Sequence, residues 1–311
     1  ESVSRTVAVY EAGDGDSPVQ TISLSDLGIP DTTSGIGTSN NGPNSVVANL
    51  GDINGDGTAD LGVTQPEIDA DLGHKVFLFY GGSGLSSQPS ETIDYADRSA
   101  IGNEFGQVLR GVGDVNGDGT DDFLVGDTFS FFSGSEFPSG SRGRRVASGA
   151  LFVHYGNPGG PQSQDADEIL AVPNLEEASS GERSNGVFGF SGIAVGDFNG
   201  DDAPDVAAKP GISNFRSTNN GAQAIRIFYG GPEFDGTPDA ELPIPGVIDA
   251  FSDSEFASNS FGALTALPPA SGGGPDRLIQ ETYNPSNALV YGPGPDTTSG
   301  LEKTALLRGP D

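Results

Sequence analysis

Three times the chain runs an acidic, glycine-punctuated turn straight into a short apolar run: GDINGDGTADLGV at 51–63, GDVNGDGTDDFLVG at 113–126 and GDFNGDDAPDVAA at 196–208. A turn that gives way at once to Leu, Phe, Val and Ala demands a buried strand and leaves no helical period behind it. The copies belong to a larger repeat. Phe105-Gly106 stands nine residues before Asp114, and Phe188-Gly189 nine before Asp197. After each turn come an apolar strand (LGVTQP 61–66, FLVGD 123–127, VAAKP 206–210) and a variable loop. A strand ending Tyr-Gly follows (Tyr80-Gly81, Tyr155-Gly156, Tyr229-Gly230), then a closing segment (ETIDY 91–95, EILAVP 168–173, AELPIP 240–245). Four short antiparallel strands per unit, repeated, predict an all-β fold, a β-propeller of four-stranded blades.

The repeat accounts for about four and a half blades in a single domain over 1–311. A half blade covers 1–30, where TVAVY (6–10) matches the Tyr-ending strand and VQTISLS (19–25) the closing one. Blades follow at approximately 40–97, 100–175, 184–247 and 256–311. The fourth begins at Phe261-Gly262, and its acidic turn has decayed to PPASGGGPD (268–276), keeping one carboxylate, Asp276. Half a blade exposes a strand edge. A further expectation is therefore that another protein chain, or a segment removed from this one, completes or flanks the ring. The absence of Met, even at residue 1, reads as a processed or trimmed form.

Forty-four Asp and Glu face only 14 Lys and Arg, a net charge of −30. Such a field repels nucleic acid and anionic membranes, and no apolar run is long enough for a membrane-spanning helix. Lys occurs only at 75, 209 and 303. Acid-rich, Lys-poor composition is the expectation for a halophilic protein, since molar salt shrinks charge repulsion to a range of about 3 Å. With no Cys, disulfides and thiolate metal sites are excluded.

Part of the acid has local work. In Asp114-x-Asn116-x-Asp118-Gly119-Thr120-x-Asp122, side-chain oxygens fall at positions 1, 3, 5 and 9, with the carbonyl of position 7 available. The equivalent sets are Asp52, Asn54, Asp56, Thr58 and Asp60, and Asp197, Asn199, Asp201, Ala203 and Asp205. Hard oxygen donors without sulfur or imidazole select Ca²⁺, at about three structural sites. Gly at position 6 allows the sharp turn. In the third loop Asp202 stands there, a residue type that tolerates a left-handed backbone better than most. An EF-hand loop would need an acidic ligand at position 12, where Val63, Val125 and Ala208 stand instead.

Phe-Gly, nine residues on to Asp-x-Asn-x-Asp-Gly-x-x-Asp, then a strand ending Tyr-Gly resembles the FG-GAP repeat, the blade unit of the integrin α-subunit propeller and its prokaryotic relatives. The resemblance is strongest over 43–231. Pro43-Asn44 replaces Phe-Gly in the first unit, and the last unit lacks the ligands. The resemblance implies calcium in the hairpin loop on a lower rim, ligand contacts on the opposite, upper face, and a ring usually of seven blades, more than this chain supplies.

The insertion DTFSFFSGSEFPSGSRGRRVASG (127–149) joins the second and third strands of its blade, which the resemblance places on the upper face. It concentrates Phe131 and Phe132 with Arg142, Arg144 and Arg145, aromatic and Arg anchors for an acidic partner, protein or glycan. An ordinary loop tucked onto its blade is the competing reading. His154 takes the place of Phe79 and Phe228 and reads as a packed strand residue. No nucleophile motif or phosphate loop is present, so the expectation is no enzyme but an interaction, adhesion or assembly module at a cell or virion surface in high salt. The alternative is an extracellular carbohydrate-active or esterase-type enzyme, for which Tyr95, Tyr283, Arg98 and Arg277 are the available groups.

Overall fold

The structure, a computed structural model, describes residues 6–10, 17–18, 20–28, 46–64, 75–82, 84–95, 105–127, 131–132, 146–147, 149–171, 186–212, 224–243, 264–269, 274–281, 287–293 and 301–308. Among them the only helical element is one 3₁₀ turn, Ser25–Leu27, and no helix is long and apolar enough to cross a membrane.

Four four-stranded antiparallel sheets follow the chain order. The first holds β3 (Val46–Gly51), β4 (Asp60–Thr64), β5 (Lys75–Phe79) and β6 (Glu91–Asp94). The second holds β7 (Phe105–Gly113), β8 (Asp122–Asp127), β11 (Ala150–His154) and β12 (Glu168–Ala171). β13 (Gly186–Gly196), β14 (Asp205–Ile212), β15 (Ala224–Phe228) and β16 (Ala240–Pro243) form the third. The fourth is built of β17 (Leu264–Leu267), β18 (Arg277–Glu281), β19 (Asn287–Pro293) and β20 (Leu301–Arg308). β1 (Thr6–Val9) and β2 (Gln20–Ser23) pair as a separate two-stranded sheet. Within the insertion, β9 (Phe131–Phe132) and β10 (Val146–Ala147) pair antiparallel, Phe132 opposite Val146. Four-stranded antiparallel sheets in chain order are what a propeller of such blades requires.

The core lies between blades. Leu50, Val76, Leu78, Ile93 and Tyr95 of the first meet Phe105, Leu109, Phe123, Val125 and Phe152 of the second. Leu124, Leu151 and Val153, on the other face of the second, meet Ile193, Val206 and Phe228 of the third. Ile225 and Ile227 then meet Leu278, Leu289 and Tyr291 of the fourth. The half blade lays Ile22 and Leu24 on Val63, Phe77 and Phe79. Each middle blade is buried on both faces, so its strands read as continuous apolar runs rather than alternating ones, and β8 is buried at every residue.

The Phe-Gly motif marks a blade junction. Phe105 is buried against Tyr95, with ring centroids 4.3 Å apart. Gly106 adopts φ +86° at a bulge between Phe105 and Val108, and its carbonyl accepts the Thr64 hydroxyl of the first blade at 2.6 Å. A Cβ on Gly106 would lie 3.0 Å from that Thr. A left-handed backbone pressed against a neighbour suits Gly alone.

Candidate metal centre

Each acidic loop links the first two strands of its blade and repeats one hydrogen-bond scheme. The carboxylate at position 1 accepts main-chain N–H groups of positions 5 and 6: Asp52 from Asp56 (2.9 Å) and Gly57 (2.7 Å), Asp114 from Asp118 (2.9 Å) and Gly119 (2.8 Å), Asp197 from Asp201 (3.1 Å) and Asp202 (3.0 Å). The Asn at position 3 accepts the position-5 N–H through Oδ1 and donates Nδ2–H to the position-5 carboxylate, as in Asn116 with Asp118. Position 5 accepts the N–H of position 7, that is Thr58, Thr120 or Ala203. Gly57 and Gly119 hold φ of +88° and +94°. Asp202 holds φ 71° in their place and is the only non-Gly residue with positive φ among the described residues.

Position 9 is different. Asp60, Asp122 and Asp205 open the second strand and are buried. One oxygen of each accepts the N–H of position 2 (Ile53 at 3.0 Å, Val115 at 2.8 Å, Phe198 at 2.6 Å). The other accepts the N–H of the Gly two residues past the third strand (Gly81 at 2.7 Å, Gly156 and Gly230 at 2.8 Å). The Tyr-Gly motif thereby acquires a cause. A Cβ on Gly81, Gly156 or Gly230 would stand 2.3–2.4 Å from the carbonyl oxygen of position 8, Ala59, Asp121 or Pro204. The Gly lets the third strand's end close on the loop, and position 9 ties it there.

Burial pushes the Asp122 carboxyl up to about 7, against the lowering effect of the N–H groups of Gly156 and Val115, and Asp118 nearby adds to the rise. Asp205 is likewise pushed up to about 7, chiefly by burial, and Asp60 is raised for the same reason. The ion pairs Lys75–Asp94 and Arg226–Glu241 involve no loop carboxylate. The donors, carboxylates and an amide oxygen, suit a hard divalent cation. Among the described residues, though, no three acidic or imidazole side chains gather closely enough to hold a metal ion by themselves. The oxygens are spread along the turn on main-chain N–H groups.

The fourth loop corrects one reading. The pairing of Leu267 with Arg277 matches that of Gly196 with Asp205, so exposed Arg277 occupies position 9 and Asp276 position 8. Asp276 therefore takes the place of Asp121, not of Asp122. Its Oδ2 accepts the Asp197 N–H at 3.2 Å, and its own N–H donates to the Asp197 carbonyl at 2.6 Å. Asp121, also at position 8, does the same to Asp52, at 2.8 and 3.2 Å. The sequence reading passed over Asp121 and took Asp276 only as the one carboxylate the fourth loop keeps. Comparing position 8 across the loops (Ala59, Asp121, Pro204, Asp276) was the available signal.

Phe131 and Phe132 form β9, at the end of the second blade opposite its acidic loop; their side chains, and Arg142, Arg144, Arg145, Tyr283 and Arg98, lie outside the described residues. Tyr95 and His154 are both buried at the junction of the first two blades. The Tyr95 hydroxyl and His154 Nε2 share a hydrogen bond, and Phe123 stacks on the imidazole at 5.0 Å. His154 is thus a packed strand residue.

No family model matches the chain. It is similar to integrin alpha-PS2 of Drosophila melanogaster, 29% identical over 164 residues, half of this chain and 10% of that protein. Integrin alpha-IIb of Mus musculus is 39% identical over 83 residues, 26% of this chain and 8% of the relative. For mouse integrin alpha-3 the identity is 30% over 135 residues, 40% and 11%. These likenesses support an integrin α-like β-propeller of the FG-GAP type. The chain spans about a tenth of the length of these relatives.

Proposed function

We propose that this integrin α-like chain is a non-catalytic, calcium-stabilised interaction module, a single propeller domain over residues 1–311. The observation that carries the reading is the identical scheme of the three acidic loops: the same oxygens at the same positions, each loop riveted to its own third strand through position 9. Calcium would be held by Asp52, Asn54, Asp56, Thr58 and Asp60, by Asp114, Asn116, Asp118, Thr120 and Asp122, and by Asp197, Asn199, Asp201, Ala203 and Asp205, with the carbonyl serving at position 7. When bound it supplies charge neutralisation to carboxylates packed in one turn. The residues themselves fix the turn and anchor it to the sheet.

The end opposite the loops carries the insertion 127–149, where Phe131, Phe132, Arg142, Arg144 and Arg145 would meet an acidic protein or glycan surface. Similarity to integrin α subunits supports an adhesion or assembly role. The charge of −30 with three Lys supports an extracellular, high-salt setting, at a cell envelope or virion surface. The two-stranded sheet β1–β2 supports completion of that blade by strands from another chain.

The test is thermal unfolding in molar salt with calcium and with a calcium chelator, beside a calcium titration by calorimetry. The expected result is about three sites and a clear drop in Tm on chelation. An unchanged Tm with no binding isotherm overturns the reading.

A further inference from the structure

The three acidic loops share their internal bonds and differ in what the next blade does to them. Position 1 of loop one, Asp52, is gripped at both ends of its peptide backbone by Asp121: N–H to carboxylate at 2.8 Å, carbonyl from N–H at 3.2 Å. Position 1 of loop three, Asp197, is gripped in the same way by Asp276, at 3.2 and 2.6 Å. Loop two faces Pro204, which has neither an N–H nor a carboxylate to offer. The preceding glycines record the contrast. A Cβ on Gly51 would lie 2.2 Å from Asp121 Oδ2 and one on Gly196 2.5 Å from Asp276 Oδ2, whereas a Cβ on Gly113 would meet the Pro204 ring at 3.2 Å.

Other bonds between blades do not group loops one and three against loop two, although loop one also takes the Gly159 N–H on the Asn54 carbonyl at 2.6 Å and the Gln162 amide on the Ile53 carbonyl at 2.9 Å. The carbonyl of position 2 accepts an N–H from the next blade at the first seam (Asn157 to Ile53, 2.9 Å) and at the second (Gly231 to Val115, 2.8 Å). A Pro of the next blade rests on the position-4 Gly at all three: Pro158 on Gly55, Pro232 on Gly117, Pro275 on Gly200. The position-8 carboxylate is what sets loops one and three apart from loop two.

We propose that Asp121 and Asp276 are latches that set the cation affinity of the loop in the preceding blade, and that Pro204 leaves loop two unlatched. The inference rests on the reading of the loops as cation sites. Position 1 is the right residue to hold. Its carboxylate organises positions 5 and 6, so fixing its backbone at both N–H and carbonyl fixes the origin from which the other oxygens are placed. A loop ordered in advance loses less freedom on binding and binds more tightly. The latch works in both directions, because a cation that holds position 1 in place also holds the next blade against the loop. Calcium should therefore tighten the first and third seams more than the middle one. Asp121 and Asp276 are positioning residues and touch no cation themselves.

Hydrogen exchange of the full chain, titrated with calcium from chelator upward, reads peptides over 51–62, 113–124 and 196–207 separately. Asp121→Ala should raise the calcium midpoint of the first peptide about tenfold, the effect of losing a charged hydrogen bond, and leave the other two in place. Asp276→Ala should act only on the third. Asp121→Asn keeps an acceptor oxygen and should stay close to the unaltered protein. Pro204→Asp should lower the midpoint of the second peptide, and it tests the idea even where an Ala variant fails to fold. Equal shifts in all three peptides, no shift, or an Asn variant as weak as the Ala variant would each overturn the latch while calcium protection in the unaltered protein persists. Exchange indifferent to calcium in the unaltered protein would instead overturn the cation reading, and the coupling with it.

Discussion

Gly156→Ala is the substitution that most directly tests how the blades close. Its Cβ would sit 2.3 Å from the Asp121 carbonyl oxygen, 2.6 Å from Thr120 Cγ2 and 3.0 Å from the Ile53 carbonyl oxygen. Two of the three obstacles are backbone, and one of those belongs to the neighbouring blade, so no side-chain rotation relieves the contact. Ordinary van der Waals separation needs a shift of roughly 1 Å. That shift takes the Gly156 N–H out of reach of Asp122 Oδ1, now 2.8 Å away. Overpacking costs about 1–3 kcal/mol, and losing a hydrogen bond to a buried carboxylate about 1.5–3 kcal/mol. A loss of about 3 kcal/mol or more lowers Tm by roughly 6–10 °C for a domain of this size. Gly119→Ala is the control. Its Cβ meets nothing within 4 Å, and φ +94° leaves only backbone strain of about 1–2 kcal/mol. Calorimetric melts of both variants in molar salt with calcium decide the matter. A Gly156→Ala variant that melts within about 2 °C of Gly119→Ala refutes the account of the Tyr-Gly motif.

Three further outcomes follow from other residues. Asp202→Gly relieves the positive φ of 71° while keeping the N–H to Asp197, and denaturant titration should show a gain of about 0.5 kcal/mol. Glu168, whose carboxylate accepts the Gly236 N–H at 3.1 Å, is raised above its ordinary 4.5, chiefly by burial, with Asp235 and Asp167 adding to it. The folded state therefore holds this proton more tightly than the unfolded state. Its contribution to stability is greatest below pH 4.5 and falls as pH rises through the folded value, so Glu168→Gln should flatten the loss of Tm in that window. Replacing Arg142, Arg144 and Arg145 with Ser should weaken capture of an acidic partner, read by surface plasmon resonance, and leave Tm unchanged.

The fold was legible because each blade writes its own punctuation. Phe-Gly, the acidic turn and Tyr-Gly recur in register, and apolar runs between them can only be strands buried on both faces. The acidic turn was legible as a donor set because oxygen spacing is a property of sequence. The division of labour inside the turn was not. Positions 1 and 9 are both Asp, yet Asp52 organises its own loop, whereas Asp60 holds Gly81, two residues past another strand. That difference arises only when the third strand folds back on the turn, and no spacing within nine residues announces it.

Asp276 shows the same limit at longer range. Alone in a glycine-rich stretch, it reads as the survivor of a decayed loop, because a carboxylate in that segment matches the ligand type. Strand pairing moves it by one place, to position 8, and gives position 9 to Arg277. One residue of register turns the loop's last carboxylate into a contact with the preceding blade. The fourth loop thus lost its donors while its position-8 carboxylate still serves loop three. A carboxylate kept where a Pro stands in the third blade has a use that belongs to its neighbour. For stacked blades, a residue's work is assigned by the seam it faces, so the seam is the unit from which the behaviour of each loop has to be argued.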